Sequence, residues 1–204
     1  MAGAVALAMA ACGPTPATPS PVAPVARASD AETLAHWPRF TSTRFGVTLP
    51  LPDGKSWKVD DHSRPELMAT RAATGEAVVI RAWSSEELQS RQRCEVTARL
   101  WGLFPDAQME PVEDGRVTAP GTFDTRLVVA VEARENRALR GHVVAVGGWI
   151  RRCIFFHYTI DVAPQQHDLL SSRLALARTR IFGELGLGNL ALVPRVPREE
   201  GPPQ

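Results

Sequence analysis

The chain has 204 residues, of which 23 are Lys or Arg and 22 are Asp or Glu, so its formal net charge is +1. A charge this close to zero produces no strong field that would attract nucleic acid, and we expect no nucleic-acid partner. A helix that spans a bilayer needs about 20 predominantly apolar residues. No segment of the sequence reaches that length.

The first predicted element is an apolar run, Met1–Ala11, which carries no charged side chain and ends at Cys12. The residues Met9-Ala10-Ala11-Cys12 resemble the lipobox of bacterial lipoproteins, in which small residues precede an obligatory cysteine. The resemblance implies that residues 1–11 are a signal peptide, that the chain is cleaved before Cys12, and that acyl chains such as palmitate on Cys12 tether the domain to the membrane. The residues leave one alternative open, an alanine-rich, disordered N-terminus on a soluble protein.

Lipoproteins that carry Asp directly after the lipidated cysteine favour the inner membrane, and this chain carries Gly13. The resemblance therefore favours the outer membrane of the cell envelope if the cell is Gram-negative. Residues 12–35 follow as the lipidated Cys and a Pro-rich linker, which we expect to be extended and semi-rigid because each Pro fixes φ and removes a backbone donor. Residues 187–204 form a second Pro-rich segment, predicted to be disordered.

Residues 36–186 remain as one domain, long enough to bury a core. Alternating or continuous apolar patterns predict strands within residues 40–51, 66–72, 77–83, 122–134, 141–146 and 152–160. Turn residues between them predict hairpins at residues 73–76 and at Gly147-Gly148. Both faces of the 152–160 strand are apolar, so we expect a central strand covered on both sides.

Two helices are predicted. The spacing Ser84-Ser85-Glu86-Glu87 is typical of a capping box, which begins a helix, and this helix runs to about Trp101 before Gly102. Pro164, at a position where Pro favours helix initiation, begins a second helix that continues to about Phe182.

The order of strands, helix, strands, helix contains no βαβ alternation. It predicts an α+β domain with a largely antiparallel sheet, built from hairpins, and two main helices packed on it. The residues Phe45-Gly46-Val47-Thr48-Leu49-Pro50, followed by Trp57, resemble the start of Mog1/PsbP-like domains. Because members of that superfamily are chiefly binding, assembly or adaptor modules, the resemblance implies binding rather than catalysis.

Two cysteines remain if Cys12 is acylated, Cys94 in the first predicted helix and Cys153 in the central predicted strand. A matched pair of thiols in an exported protein is usually oxidised, and a helix packed on a sheet can bring two Cα atoms to bridging distance. We therefore predict a disulfide. The alternative is two separate buried thiols that act as small apolar residues.

Candidate chemistry is sparse. The sequence contains no G-x-S-x-G, H-E-x-x-H, P-loop or Rossmann glycine pattern, and we expect no cofactor. His142, His157 and Asp161 lie on neighbouring predicted strands and define the alternative to a binding module, a hydrolase-like envelope enzyme. His62, after Asp60-Asp61, is either a cation contact or part of a solvated turn.

The favoured interpretation is a binding or assembly module of the cell envelope, with an envelope protein or a small ligand as its partner. Trp149, beside the predicted Gly147-Gly148 turn, either packs against that turn or stands at the hairpin tip as a binding residue.

Overall fold

The computed structural model describes residues 37–105, 109–134 and 138–188. Cys12, the signal peptide, the linker and the tail beyond Gly188 lie outside these ranges. The strands are β1 (Arg39–Ser42), β2 (Val47–Pro50), β3 (Lys58–Asp60), β4 (Leu67–Arg71), β5 (Glu76–Ser84), β6 (Glu110–Thr118), β7 (Asp124–Ala133), β8 (Leu139–Trp149), β9 (Arg152–Val162) and β10 (Gly186–Leu187). The helices are α1 (Arg91–Leu100) and α2 (His167–Leu176), and α2 continues as a wider π-helical segment, Ala177–Phe182.

Seven strands form one antiparallel sheet in the order β3-β4-β5-β9-β8-β7-β6, and β1, β2 and β10 form a smaller sheet. Both helices pack on the large sheet, α1 against β7, β8 and β9 and α2 against β8 and β9. The predicted α+β class, with its antiparallel sheet and two main helices, is confirmed.

Strand β9 lies at the centre of the large sheet and is covered on both faces. Its side chains alternate, so Phe156 packs on the α2 side, with its ring centroid 5.2 Å from that of Phe182. Phe155 packs on the other side, beside Cys94 and Ala98 of α1. The two apolar faces of this strand, read from the sequence, therefore belong to two separate core layers.

The turn of the β8–β9 hairpin differs from the prediction. It lies at Ile150-Arg151, because Trp149 pairs with Arg152, and both predicted turn glycines lie inside β8. A Cβ on Gly148 would lie 2.7 Å from the backbone carbon of Ser90, a distance that real Cβ atoms do not reach. Gly148 is needed because the start of α1 contacts the strand there.

The first helix begins later than predicted. Ser84 ends β5, and the N-cap of α1 is Ser90, whose side chain accepts a hydrogen bond from the backbone N–H of Arg93. The segment between them is tied to the hairpin tip, because the backbone N–H of Ser85 donates to the carbonyl of Arg151. The second helix also begins later, at His167, with Pro164 in the preceding turn.

Strand β6 was not predicted. Its sequence EPVEDGRVT contains Pro and Gly, five of its nine residues are polar, and six are exposed. Such a composition is typical of an edge strand, where charge and Pro discourage pairing with another chain. No helix within the described residues is long and apolar enough to cross a membrane.

Candidate functional site

Helix α1 covers only one end of its face of the sheet. The buried cluster beneath it contains Trp83, Cys94, Ala98, Val144, Val146, Cys153 and Phe155. Next to this cluster, no helix of the described residues covers the sheet, and the residues that follow α1 form a wall there, with the ring of Phe104 packed edge-on at 5.3 Å from that of Phe155. The open part of the face is the candidate site.

A cavity of about 390 Å³ lies between this wall and strands β6, β7 and β8. Val128, Ala130 and Val144 form its apolar floor. The other lining residues are Arg99, Phe104, Pro105, Met109, Pro111, Asp114 and Arg126. A cavity of this size with a mostly apolar lining and a few polar groups is typical of a small-molecule site.

The charged groups at the cavity rim are paired with one another. Arg126 donates to both carboxylate oxygens of Asp114, at 2.9 and 2.6 Å, and to Glu95 of α1 at 2.9 Å. The hydrogen bonds from Arg126 lower the pKa of Asp114, and those to Asp114 raise the pKa of Arg126. Because these charges satisfy one another, the cavity does not select strongly for an anion or a cation.

Two histidines and a carboxylate form a chain beside the cavity floor. The Nδ1 atom of His142 lies 3.0 Å from Nε2 of His157, and Nε2 of His142 lies 3.2 Å from Oε2 of Glu132. The two rings are nearly parallel, at 10°, with centroids 5.3 Å apart. The separation of the centroids equals the Nδ1···Nε2 distance plus the radii of the two rings, so these two nitrogen atoms lie on the line that joins the ring centroids. The rings meet edge to edge and do not stack.

The protonation pattern follows from this geometry. The hydrogen bond from Arg134 lowers the pKa of Glu132, so this carboxylate is an acceptor and His142 donates to it through Nε2. Nδ1 of His142 then accepts from the Nε2–H of His157. Burial lowers the pKa of His142, and burial together with His142 lowers the pKa of His157 to about 4, so both imidazoles are neutral at pH 7.

Asp161, the third residue of the predicted enzyme site, is not hydrogen-bonded to either histidine. Arg140 binds both of its carboxylate oxygens at 2.7 Å, and this hydrogen bonding lowers the pKa of Asp161. The carboxylate beside His142 is Glu132 and not the predicted Asp161. Glu132 was not predicted as a site residue. The pairing of β7 with β8 sets Glu132 opposite Arg140, one diagonal step from His142, so a correct register would have revealed it.

A hydrolytic site would require a nucleophile or metal ligands in the surroundings of the two histidines. Within the described residues, the one hydrogen bond of the His157 side chain is the one that it donates to His142, and no Ser, Thr or Cys is hydrogen-bonded to its Nδ1. Across the same residues, no three His, Cys, Asp or Glu side chains are grouped to hold a metal ion. His62 contacts Asp61 at 2.8 Å in an exposed turn.

Cys94 and Cys153 form a disulfide, with their Cα atoms 5.5 Å apart. The bond joins α1 to the central strand and holds the helix that borders the cavity. Trp149 is partly exposed, and its ring lies 6.2 Å from that of Phe123, so it both packs on a neighbour and reaches the hairpin surface. Cys12 lies outside the described residues.

No protein-family model matches the chain, and no curated protein sequence matches it. Among solved structures, cyanobacterial PsbP (CyanoP) of Synechocystis is similar, with a TM-score of 0.46 and 11% identity over 76% of this chain and 94% of that chain. LpqN of Mycobacterium tuberculosis, described as involved in cell envelope biogenesis, has a TM-score of 0.46 and 13% identity over 81% of this chain and 99% of that chain.

A protein of Bacteroides thetaiotaomicron has a TM-score of 0.39 and 9% identity over 66% of this chain and 46% of that chain. The chain thus spans less than half the length of that protein. Similarities at this level define no family for the chain, and the Mog1/PsbP-like assignment stays a prediction.

Proposed function

We propose that the chain is an exported protein of a bacterial cell envelope, tethered by lipid on Cys12, whose α+β domain binds a small, largely apolar ligand. The observation that carries the binding role is the cavity of about 390 Å³ beside α1. Its floor is aliphatic and its rim charges are already paired, so burial of apolar surface is the main source of affinity that it offers.

The disulfide supports the proposed compartment. Disulfides persist in oxidising environments and are rare in the cytosol, where thiols are kept reduced. Cys94 and Cys153 are both buried and both in the bond, so the domain is suited to the periplasm or the outer face of a membrane. Gly13 after the lipidated residue favours the outer membrane if the cell is Gram-negative.

The compartment is tested by the mass of the protein extracted from membranes. We expect loss of residues 1–11 and addition of acyl groups at Cys12, and a Cys12→Ser variant should carry no acyl mass and should be released from membranes washed at high salt. An intact Met1, or a free Cys12 thiol in the membrane-extracted protein, would refute the anchor.

The cavity is tested with 1-anilinonaphthalene-8-sulfonate, an anionic fluorescent probe whose aromatic rings bind apolar sites, on the folded full chain. Val128→Phe places a larger side chain on the cavity floor and should weaken probe binding about tenfold, because the ring takes up space the probe needs. The matched control is Val79→Phe, on the same face of the sheet but outside the cavity lining. Equal loss in both variants would contradict the assignment.

One observation favours an enzyme as the second candidate. The in-line chain from Glu132 through His142 to His157 is an arrangement in which a carboxylate orients a base, as in hydrolases. Hydrolysis of p-nitrophenyl acetate that is lost in His157→Gln and kept in His62→Gln would support this candidate. Equal activity in the two variants would show that the hydrogen-bonded series Glu132–His142–His157 is not the source of the hydrolysis.

A further inference from the structure

Four aliphatic side chains form an exposed strip on the outer surface of the domain. Val96 and Leu100, one helical turn apart on α1, are 58% and 80% exposed, whereas Cys94 and Ala98 on the inner side are fully buried. Leu88, in the irregular segment that precedes the N-cap of α1, is 69% exposed. We define the apolar strip as Leu88, Val96, Leu100 and Ile150.

Ile150 extends the strip from the helix to the hairpin tip. It is 52% exposed, and its carbonyl accepts a hydrogen bond from the backbone N–H of Gln89, next to Leu88. Its φ is 56°, a left-handed conformation that costs a β-branched residue roughly 1–2 kcal/mol and that Gly or Asn adopts easily. An isoleucine at this position weakens the turn and leaves its side chain in water, so it does not serve the stability of the domain.

Arginines surround the strip. Residues 85–101 and 151–152 contain five Arg and three Glu, a net charge of +2, although the whole chain has a net charge of only +1. Three of the five form ion pairs with nearby carboxylates, Arg93 with Glu87 and both Arg91 and Arg99 with Glu95. The exposed Arg151 side chain makes no hydrogen bond or ion pair within the described residues.

From these features we infer that the strip is a membrane-contact face, on which the domain lies against an anionic lipid surface. Aliphatic side chains that project separately from a helix and a hairpin tip can enter a fluid bilayer, which closes around each of them. A folded partner would instead need a matching pocket for each chain. The surplus arginine charge complements anionic headgroups, and Trp149 at the tip suits the interface between headgroups and acyl chains.

The inference rests on the proposed function, because the lipid anchor at Cys12 is what brings the face to a membrane. A domain tethered at Cys12 has a high effective concentration at the membrane, so a face whose own affinity for lipid is modest but measurable is sufficient to orient it. Contact through α1 and the β8–β9 tip would place the candidate cavity, which lies past the far end of α1, to the side of the contact area. A ligand would then enter the cavity while the domain stays in contact with the membrane.

The test uses the full chain with Cys12→Ser, which removes the lipidation thiol, purified with its disulfide formed. We expect it to sediment with vesicles of phosphatidylethanolamine and phosphatidylglycerol, less with phosphatidylcholine vesicles, and less at high salt. Adding Leu88→Gln, Val96→Gln and Leu100→Gln together should weaken binding about tenfold or more, because three aliphatic side chains that enter the lipid in the original chain are lost. Val112→Gln, an equally exposed position on the β6 edge, should bind unchanged.

Ile150→Asn separates contact from folding. Asn tolerates the left-handed backbone, so the melting temperature should stay the same or rise, while binding to anionic vesicles should fall about threefold. No vesicle binding by the Cys12→Ser chain, or unchanged binding by the triple variant, would overturn the inference. A stable dimer that forms without vesicle binding would do the same, since it would assign the strip to a protein partner. Because the chain in these assays has no lipid, its result is independent of the anchor.

Discussion

Tyr158 and Glu76 meet in the core, where the phenolic hydroxyl donates a 2.7 Å hydrogen bond to Oε1 of Glu76. Both residues are buried, and Arg71 lies 3.3 Å from the other carboxylate oxygen. Burial raises the pKa of Tyr158 well above its usual value, so the hydroxyl keeps its proton and stays a donor. The pair thus allows a carboxylate to lie at the junction of β4, β5 and β9.

Tyr158→Phe removes that donor without changing the packing of the ring. The buried carboxyl group of Glu76 loses one of its hydrogen-bond partners, so we expect the free energy of unfolding to fall by about 1–3 kcal/mol. Urea denaturation measures this change. Arg99→Gln, which breaks an exposed ion pair with Glu95, is the control and should change stability by less than about 0.5 kcal/mol. Equal effects would mean that Glu76 is satisfied without Tyr158.

Gly148→Ala should destabilise the domain by about 2 kcal/mol or more, because the new Cβ would overlap the backbone of Ser90 and Arg91 at the start of α1. The matched control is Gly115→Ala, also in a strand, where a Cβ would meet nothing within 4 Å. That variant should be neutral or slightly stabilising, since Ala restricts the unfolded chain. Thermal unfolding of the two variants side by side checks the contact.

Stability should depend on pH through His157. Its pKa is about 4 in the folded protein against 6.5 as the ordinary value, so the unfolded chain binds the proton more readily. Stability is therefore full above about pH 6.5 and falls as the pH decreases towards 4, by roughly 2–3 kcal/mol for this group. Urea denaturation across that range measures the slope.

His157→Gln supplies a neutral donor for Nδ1 of His142 and should flatten the slope between pH 6.5 and pH 4. His62→Gln, at an exposed position, should leave the slope unchanged. A slope equal to that of the original chain in His157→Gln would show that other groups cause the acid sensitivity.

Reduction of the disulfide should lower the free energy of unfolding by about 4 kcal/mol in the chain-entropy model, because the bond closes a loop between residues 59 positions apart. Denaturation with and without a phosphine reductant measures the effect, and Cys94→Ala with Cys153→Ala should reproduce it. Peptide mapping of the native protein without reduction should recover the two cysteines in one linked pair. Two thiols that react with an alkylating agent would contradict both the bond and the export.

The sequence predicts elements better than it predicts their junctions. Period-2 patterns locate β5 and β9 because each buries apolar side chains, and the two-faced pattern of residues 152–160 correctly indicates a central strand. The turn at Ile150-Arg151 was not predicted because Gly147-Gly148 is the stronger local turn signal. Those glycines are required by tertiary contacts, one with Thr125 and one with Ser90, which no local pattern reports.

The candidate site depends on that register. A turn at Gly147-Gly148 would shift β8 relative to β9, whereas the true register sets His142 opposite Thr159 and one diagonal step from His157. The positions of Glu132, Arg126 and Asp114 at the site also depend on where β7 and β6 lie in the sheet. Strand β6 has no alternating apolar pattern from which the strand could be predicted. Side chains that meet across three or four strands are beyond local sequence patterns.

The position of β9 in the sheet has a consequence for how the protein is made. The strand that joins the β3–β4–β5 half of the sheet to the β6–β7–β8 half is the last of the seven in the chain. Until it emerges, the two halves share no strand pairing, and long-range pairing of this kind is slow because loop closure comes first. The sheet cannot be completed while residues 152–162 are missing, so a chain threaded N-terminus first through a translocon would remain without its central strand until those residues had crossed.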